Sequence, residues 1–500
     1  MKKHSTQTIQ SKSQLKKAAK RSEDNAARLD PSSHQQAKPA NGTGGSNLES
    51  QKEISRKGFL QSTASFLAGL GFATAAGDLL QKAVRGPGYG SLHAEEMPEY
   101  DEDPYDIVLP GKVKTVIFIN MAGGMSHVDT LDPRADQSPF GLVNSSIGGV
   151  KIGEPFRQTA AQLKHLSLVR STWSEDGDHG FAQRLLNTGY RMTESAGFPD
   201  IPSWGCVVAY GKKKDYKGPY FPSTVTMGQR GGVIGRHGFL PIRFSSFHIG
   251  NLDNPVNNLA PAGGKISQER LVRREQFLNM LNDNFEKRSQ ASQVAVWRGM
   301  FDSALEFMNS DQMVTFDITK ESATTRRRYG ETWAGKAMLM AKRLAEAEVP
   351  MIQITIGGWD THNNNRAKVA DIMKEADPAI AALIQDLAGT GLLDQTIFYL
   401  SSEFGRTPVV GDRDGRDHYP RVWTSLMGGG PIPRGAVFGE SDKKAQQPAS
   451  SKTAYHVRDV TATLYRAAGL DPEATLTTGS GRPFPLAPRH AKVIEEMLRG

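Results

Sequence analysis

The stretch MIQITIGGWDTH, residues 351–362, decides the fold of this chain. Its first half, Met351–Ile356, is almost continuously apolar or β-branched, which is typical of a strand buried on both faces of a parallel sheet. Residues 366–393 follow with apolar side chains at helical spacing, and residues 396–400 form another strand-like run. Because parallel strands need a crossover connection, this order predicts a βαβ unit and an α/β fold with parallel strands.

Three such runs end in turns that carry polar side chains. Residues 351–356 lead into Gly357-Gly358-Trp359-Asp360-Thr361-His362, and residues 396–400 lead into Ser401-Ser402-Glu403. Residues 113–120 form the earliest run and lead into a glycine turn that reaches His127 and Asp129. Since open α/β sheets bind ligands at the carboxyl ends of their strands, a metal or acid/base site is predicted there.

Asp360 and His362 form the sharpest candidate pair. In a strand continuation, residues two apart point the same way, as two ligands of one metal ion would. The alternative is a helix N-cap, for which Asp and Thr are common residues. A cap needs one such residue and not a Trp-Asp-Thr-His cluster, so the metal interpretation is favoured.

A second group of candidates follows the run at 396–400. Glu403 stands at its end, and Arg406 offers a planar donor fork that suits phosphate, sulfate or carboxylate, unless the two form only a local ion pair. Asp417 and His418 lie in a polar loop, where both could bind metal or the Asp could orient a neighbouring His. A solvated loop histidine is the alternative.

Further polar residues lie at the same predicted edge, and their shared position is the argument for them. They are Asp176, Asp178 and His179, and after the first run His127, Asp129 and Asp132. His456 heads a helix predicted at 457–468, where a capping role is favoured. The serine-nucleophile elbow, the P-loop and the dinucleotide-binding glycine motif do not occur, so those enzyme classes lose support.

Charge and cysteine content limit the possible partners. The net charge is +8, but residues 1–58 hold twelve Lys/Arg against five Asp/Glu, so the remaining chain is nearly neutral. A basic leader on a neutral body argues against a nucleic-acid-binding face. Cys206 is the single cysteine, which excludes an intrachain disulfide and a Cys-based metal site.

The first part of the chain predicts export. Residues 1–53 read as a disordered basic leader, 54–80 as a twin-arginine-like signal with Arg56-Lys57, and 81–112 as a linker. The expected location is periplasmic or extracellular, without a membrane span in the mature form. An amphipathic helix in a cytoplasmic protein is the alternative. The domain is predicted at 113–490, with a helical insertion at about 267–347 and an irregular excursion at 206–265.

Several longer motifs resemble the bacterial domain of unknown function 1501 family over residues 113–490. They are GGMSHVDTLDP at 123–133, DHG at 178–180, LLNTG at 185–189, FDI at 316–318, RYG at 328–330, GWDTH at 358–362, EFGRTP at 403–408 and GRDHYP at 415–420. The resemblance implies the alkaline phosphatase and sulfatase superfamily. It implies an α/β domain with a mostly parallel central sheet between helices, one or two divalent cations, and hydrolysis of phosphate or sulfate esters.

The resemblance also implies roles for the candidate residues. Metal would be bound by Asp360, His362, Glu403 and His418, with Asp417 and Asp129 as further candidates. Arg406 would hold the anionic group, and His179, near the superfamily's nucleophile position, would act as nucleophile or general acid/base. The cation would be Zn²⁺, Mn²⁺ or Fe²⁺, or Ca²⁺ or Mg²⁺ if carboxylates dominate.

Two departures from the superfamily pattern keep a second hypothesis open. Phe404 stands where a metal-binding His is usual, and His179 stands in place of a hydroxyl or thiol nucleophile. The leading expectation is an exported metal-dependent hydrolase acting on an anionic ester. The alternative is a non-catalytic cell-envelope protein of the same fold that binds an anionic or glycan-type ligand.

Overall fold

The computed structural model describes residues 107–193, 200–212, 221–229, 231–256, 307, 310–478 and 480–499, all within the unit of residues 55–500. The predicted leader, the export signal, most of the linker and residues 267–306 of the predicted insertion lie outside the described residues. Among the described helices, none combines the length and the hydrophobicity of a membrane span.

The described segments contain both strands and helices. The strands are β1 (Thr115–Met121), β2 (Leu142–Asn144), β3 (Lys151–Gly153), β4 (Ser167–Trp173), β5 (Thr224–Gly228), β6 (Phe247–Ile249), β7 (Met351–Ile356), β8 (Thr396–Ser401), β9 (Gly405–Arg406), β10 (His418–Tyr419), β11 (Trp423–Gly428), β12 (Val437–Phe438), β13 (Tyr455–His456), β14 (Thr475–Thr477) and β15 (Pro483–Pro485). The α-helices are α1 (Arg157–Ala160), α2 (His179–Thr188), α3 (Trp204–Gly211), α4 (Ala323–Tyr329), α5 (Trp333–Glu346), α6 (Asn365–Gly389) and α7 (Val457–Ala467). Short 3-10 helices cover Glu154–Phe156, Leu163–His165, Ile242–Phe244, Asp311–Phe316, Ile318–Lys320, Leu392–Gln395, Ser451–Thr453 and Glu495–Leu498.

The central sheet is mixed and mostly parallel, which confirms the predicted fold class. Its order is β12-β4-β11-β8-β1-β7-β5-β6, and β13 pairs with β4. Strand β11 runs antiparallel to both β4 and β8, whereas the other pairs are parallel. The predicted βαβ unit exists as β7, α6 and β8, but β1 lies between its two strands.

The central strand is buried on both faces, as its apolar run predicts. Ile117 and Ile119 pack into one core with α5 and α6, and Val116 and Phe118 pack into another with α2, α3 and α7. Helices therefore cover both faces of the sheet, which is what removes these side chains from water.

Two local expectations were wrong. The described parts of residues 206–265 are not merely irregular, because they contain most of α3 and the strands β5 and β6. These strands have only five and three residues between glycine- and proline-rich turns, so they lack a readable period. Helix α6 ends at Gly389, before the expected residue 393, and Gly391 turns the chain with φ of 76°.

The topology collects several loops at one edge of the sheet. Strands β1, β7 and β8 are parallel neighbours, and β4 runs the same way as β8 because β11 is antiparallel to both. Their carboxyl ends therefore lie at one edge, and the chain enters β11 from that edge. The loops that carry the candidate residues all leave or approach the sheet there.

Candidate metal centre

Close contact between two turns builds the floor of the site. Gly123 and Gly124 follow β1 with φ of 116° and 93°, a conformation that favours glycine. A Cβ atom on Gly123 would lie 2.5 Å from the backbone nitrogen of Asp360. The absence of a side chain therefore lets the turn after β1 lie directly against the turn after β7, which carries Asp360.

Three imidazole rings converge on one oxygen of Asp360. Its Oδ1 lies 3.1 Å from Nε2 of His362, 3.3 Å from Nε2 of His418 and 3.3 Å from Nε2 of His179. His179 begins α2, His362 follows β7, and His418 lies in β10, before β11. The sheet edge thus brings together residues that are far apart in sequence.

The other nitrogen of each ring is fixed by an acceptor. Nδ1 of His179 lies 2.9 Å from Glu403 Oε1, Nδ1 of His362 lies 2.8 Å from Asp417 Oδ1, and Nδ1 of His418 lies 2.7 Å from the carbonyl oxygen of Gly177. A carboxylate or carbonyl can only accept, so each Nδ1 carries the proton. In the neutral ring, each Nε2 then presents a lone pair toward the centre. Metal-binding histidines are held in this way.

Around the centre, Nε2 lone pairs lie close to other hydrogen-bond acceptors and not to donors. Nε2 of His362 lies 3.0 Å from Nε2 of His418, although both neutral rings offer lone pairs there. Nε2 of His179 is buried and has no hydrogen-bond partner among the described residues. A divalent cation would bind these nitrogens together with Asp360, and His179, Asp360 and His418 are near enough to one another to hold one. Three nitrogens and one carboxylate oxygen suit Zn²⁺, Mn²⁺ or Fe²⁺ better than Ca²⁺ or Mg²⁺.

Arg406 holds Asp360 and the glycine turn together. Its guanidinium is completely buried, donates to the carbonyl oxygens of Gly123, Gly124 and Arg416, and lies 2.5 Å from Asp360 Oδ1. Burial opposes ionisation of Asp360, yet the hydrogen bond and charge of Arg406 outweigh it and lower the pKa to about 2. Arg406 was predicted to hold the anionic group of a substrate. In the structure its guanidinium contacts three carbonyl oxygens and Asp360, and the role toward a substrate stays a prediction.

The pKa values of His179 and His418 are shifted in opposite directions. The hydrogen bond that His179 donates to Glu403 raises the pKa of His179 despite partial burial, and the charges of Glu403 and Asp360 act in the same direction. Burial lowers the pKa of His418, and the charges of Arg406 and His179 lower it further against the carbonyl contact with Gly177. Of these two, His418 is the better lone-pair donor at neutral pH.

Phe404 forms an apolar wall behind the imidazoles. It is fully buried, and its ring centroid lies 4.6 Å from that of His418 and 5.0 Å from that of His179. Gly124 makes room for it, because a Cβ atom there would lie 2.7 Å from the Phe404 ring. Phe404 cannot bind metal, but it limits the orientations of two rings that can.

Asp129 lies outside this centre. Its two carboxylate oxygens accept from Nε and Nη2 of Arg416 at 2.8 and 2.9 Å, and also from Ser138 and Asn365. Both partners of the ion pair are fully buried. His127 is equally buried, its Nε2 lies 2.9 Å from the Ala445 carbonyl oxygen, and burial lowers its pKa. Asp129 therefore holds the loop after β1 to the loop before β11, and His127 holds it to the loop after β12.

Other candidates also have supporting positions. Glu403 is buried behind His179, where its carboxylate accepts from Gly123 N and Ser402 Oγ as well. Asp417 contacts the Nδ1 side of His362, away from the centre. Asp178 caps α2, and His456 caps α7 by accepting from the backbone nitrogen of Arg458, which confirms its capping role.

Sequence reasoning missed two features of the centre. His179 was predicted to act in catalysis, and the structure places its Nε2 beside the metal-binding candidates Asp360 and His418. Asp178 caps the helix that begins at His179, and this capping residue could have indicated that the helix starts at the edge of the sheet. The Gly177 carbonyl that holds His418 carries no sequence signal, because every residue has one.

Several solved structures are similar to this chain at low sequence identity. The lipoteichoic acid synthase LtaP of Listeria monocytogenes is similar over 79% of this chain and 78% of its own, with 11% identity and a TM-score of 0.36. A phosphonate monoester hydrolase of Silicibacter pomeroyi covers 77% and 76%, with 11% identity and a TM-score of 0.37. The alkaline phosphatase of the Antarctic bacterium TAB5 covers 73% and 99%, with 11% identity and a TM-score of 0.35. With scores below 0.5, none of these similarities carries an argument about substrate or mechanism.

Sequence comparison is decisive at the level of the family. No curated protein matches the chain significantly. The family model described as "Protein of unknown function (DUF1501)" matches residues 113–498, which covers the central sheet and all the residues of the candidate centre. The chain belongs to the DUF1501 family.

Proposed function

We propose that this protein is a metal-dependent hydrolase of phosphate or sulfate esters, with one divalent cation bound by Asp360, His179, His362 and His418. One observation carries the proposal. Three imidazoles, each with Nδ1 held by an acceptor, direct Nε2 toward the same Asp360 oxygen. A structural histidine needs no such arrangement, whereas a metal ligand does.

The residues of the chain have separate tasks in this proposal. A bound cation would act as a Lewis acid and lower the pKa of a water molecule. Glu403 and Asp417 orient His179 and His362, and Arg406 neutralises and positions Asp360. In the loops after β1, β7 and β8, the hydroxyl residues Ser126, Thr130, Thr361 and Ser402 are at most 1% exposed, and Ser138 donates to Asp129 outside the centre. Water is therefore a better nucleophile here than a side-chain hydroxyl.

The substrate class rests on charge and on the motifs. Arg406 neutralises Asp360 and the three imidazoles are neutral as ligands, so the ligand set leaves the charge of a dication available to an anionic group. The long motifs at 358–362, 403–408 and 415–420 resemble a superfamily that hydrolyses phosphate and sulfate esters. An anionic ester is the substrate that fits both.

The first test is the metal content of the full chain purified without chelator. We expect stoichiometric metal in the natural protein and in Asp136→Asn, an exposed carboxylate outside the centre. We expect none in Asp360→Ala/His418→Ala, with circular dichroism showing that the variant folds. A natural protein that binds no metal, even after reconstitution, would refute the proposal.

Turnover is tested separately with aryl phosphate and aryl sulfate esters. Metal-dependent release of the aryl alcohol that is lost in the double variant supports the hydrolase. A metal-loaded protein that retains anionic esters without hydrolysing any of them would favour the non-catalytic binding protein.

Export is a part of the proposal that rests on sequence alone. Residues 55–60 read Ser-Arg-Lys-Gly-Phe-Leu, and a weakly apolar stretch follows. Replacing Arg56 and Lys57 by Gln should retain the protein in the cytoplasm of a host with a twin-arginine system. Unchanged distribution after cell fractionation would indicate that this segment is not an export signal.

A further inference from the structure

A separate cavity lies at the same edge of the sheet, beside the candidate centre. It has a volume of about 450 Å³ and lies between the ends of β5 and β7 and the first halves of α5 and α6. This volume is in the range of small-molecule sites. Gly357 in its lining precedes Asp360 by three residues, so their Cα atoms are at most about 11 Å apart. One ligand can therefore reach both places.

An indole ring forms one wall of this cavity. Trp333 begins α5 and is 38% exposed, an unusual position for so large an apolar side chain. Gly228 has φ of 91°, and a Cβ atom there would lie 2.9 Å from the ring of Trp333. The absence of a side chain at Gly228 therefore lets the indole of Trp333 lie over the end of β5. Ile356 and Ile372 extend the apolar surface.

Polar side chains without partners complete the lining. Gln229, Asp371 and Glu375 line the cavity, and within the described part of the chain their side chains make no hydrogen bond or ion pair. Asp371 and Glu375 are four residues apart on α6, so two like charges share one helix face, which costs stability. Groups of this kind are available to a ligand that donates hydrogen bonds.

We propose that this cavity binds a neutral sugar ring of the substrate, next to the ester group at the metal centre. The inference builds on the proposed function and narrows its substrate to a glycan ester. The C–H face of a pyranose carries partial positive charge and packs on the negative face of an indole. Its hydroxyl groups can donate to Asp371 and Glu375 and exchange hydrogen bonds with the amide of Gln229.

The charge and shape of the cavity favour a sugar over other ligands. Two carboxylates without a cationic partner disfavour an anionic group inside the cavity, so the ester group would lie at the metal centre. Quaternary ammonium groups are recognised by aromatic cages, whereas Trp333 is the one aromatic residue in this lining. A single flat ring suits a pyranose.

The test is binding of neutral sugars to the full chain, with and without chelator. Cellotriose, maltotriose, mannotriose and N-acetylchitotriose are titrated by calorimetry, and choline is titrated beside them. We expect at least one trisaccharide to bind, and Trp333→Ala to weaken it at least tenfold. Asp371→Asn/Glu375→Gln should weaken it similarly without loss of folding, because both side chains are exposed. The matched control Glu473→Gln/Glu495→Gln alters two exposed carboxylates elsewhere and should change nothing.

The outcome is separable from that of the proposed function. Chelator and Asp360→Ala should leave the sugar affinity within twofold, so sugar binding survives even if the metal centre proves empty or inactive. Binding of choline in preference to every trisaccharide would overturn the inference in favour of a cationic ligand. It would also be overturned if no trisaccharide binds, or if the Asp371→Asn/Glu375→Gln variant binds as the natural protein does.

Discussion

Two carboxylates at the same edge of the sheet have opposite surroundings. Asp129 and its partner Arg416 are fully buried, and each Asp129 oxygen accepts from Arg416 and from one further side chain. The Asp360 side chain is 51% exposed, and it has one cationic partner and three imidazole nitrogens around a single oxygen.

The difference teaches how to separate structure from chemistry among similar residues. A buried carboxylate whose oxygens already accept hydrogen bonds from the protein cannot bind a ligand as well. Asp129 instead connects loops of the protein. Asp360 is reachable from solvent, and the donors around it are held by Glu403, Asp417 and Gly177. Asp129 and Asp360 are the same residue type, and they differ in whether the protein already occupies their hydrogen-bonding capacity.

The largest expected effect is on stability at the buried pair. Asp129→Ala should lower the free energy of unfolding by about 3–5 kcal/mol, because it leaves the Arg416 guanidinium buried without its counterion. Asp360→Ala should lower it by less, because solvent reaches this half-exposed carboxylate and Arg406 keeps its hydrogen bonds to three backbone carbonyl oxygens. Unfolding in guanidinium chloride measures both. Equal losses would remove the distinction between the two regions.

Next in size is the effect of a buried group that supports the exposed centre. Glu403→Gln should weaken metal binding by about 10- to 100-fold, because the amide no longer favours a protonated Nδ1 on His179 as a carboxylate does. Competition with a coloured chelator gives the affinity. Glu440→Gln alters an exposed carboxylate outside the centre, and this variant should bind metal normally. An unchanged affinity in Glu403→Gln would show that His179 is not a ligand.

A smaller effect is expected at the exposed counterpart of Glu403. Asp417 is 81% exposed and contacts His362 as Glu403 contacts His179, but solvent screens its charge. Asp417→Asn should therefore weaken metal binding by less than about tenfold. If its effect exceeds that of Glu403→Gln, burial does not set the strength of these supporting contacts.

The smallest predicted effect is a separation of two titrations. In the metal-free protein, the pKa of His179 should lie above 6.5 because of its hydrogen bond to Glu403, and that of His418 below 6.5 because of burial. As the pH rises, His418 therefore loses its proton before His179 does. Asp360→Asn should lower the pKa of His179, since it removes a nearby negative charge. Titration of the ring protons by NMR measures both values, and a reversed order would contradict the assigned contacts.

Much of the fold was readable from local patterns. The runs at 113–120, 351–356 and 396–400 became three adjacent parallel strands, because continuous apolar sequence is stable only where both faces are covered. The short strands β5 and β6 were missed, because three to five residues between glycine and proline turns show no period. Pairing of β5 with β7, and of β6 with β5, stabilises them instead.

The sequence by itself determined which edge of the sheet carries polar residues, because strand–turn order is local information. Only the tertiary structure decided which of these residues form the candidate metal centre and which form buried structural contacts. It brought His179, His362 and His418 to one oxygen of Asp360, and it buried Asp129 with Arg416. The reason is physical: strand register, the close approach at Gly123 and the exposure of each carboxylate depend on contacts between distant segments, which no local pattern encodes.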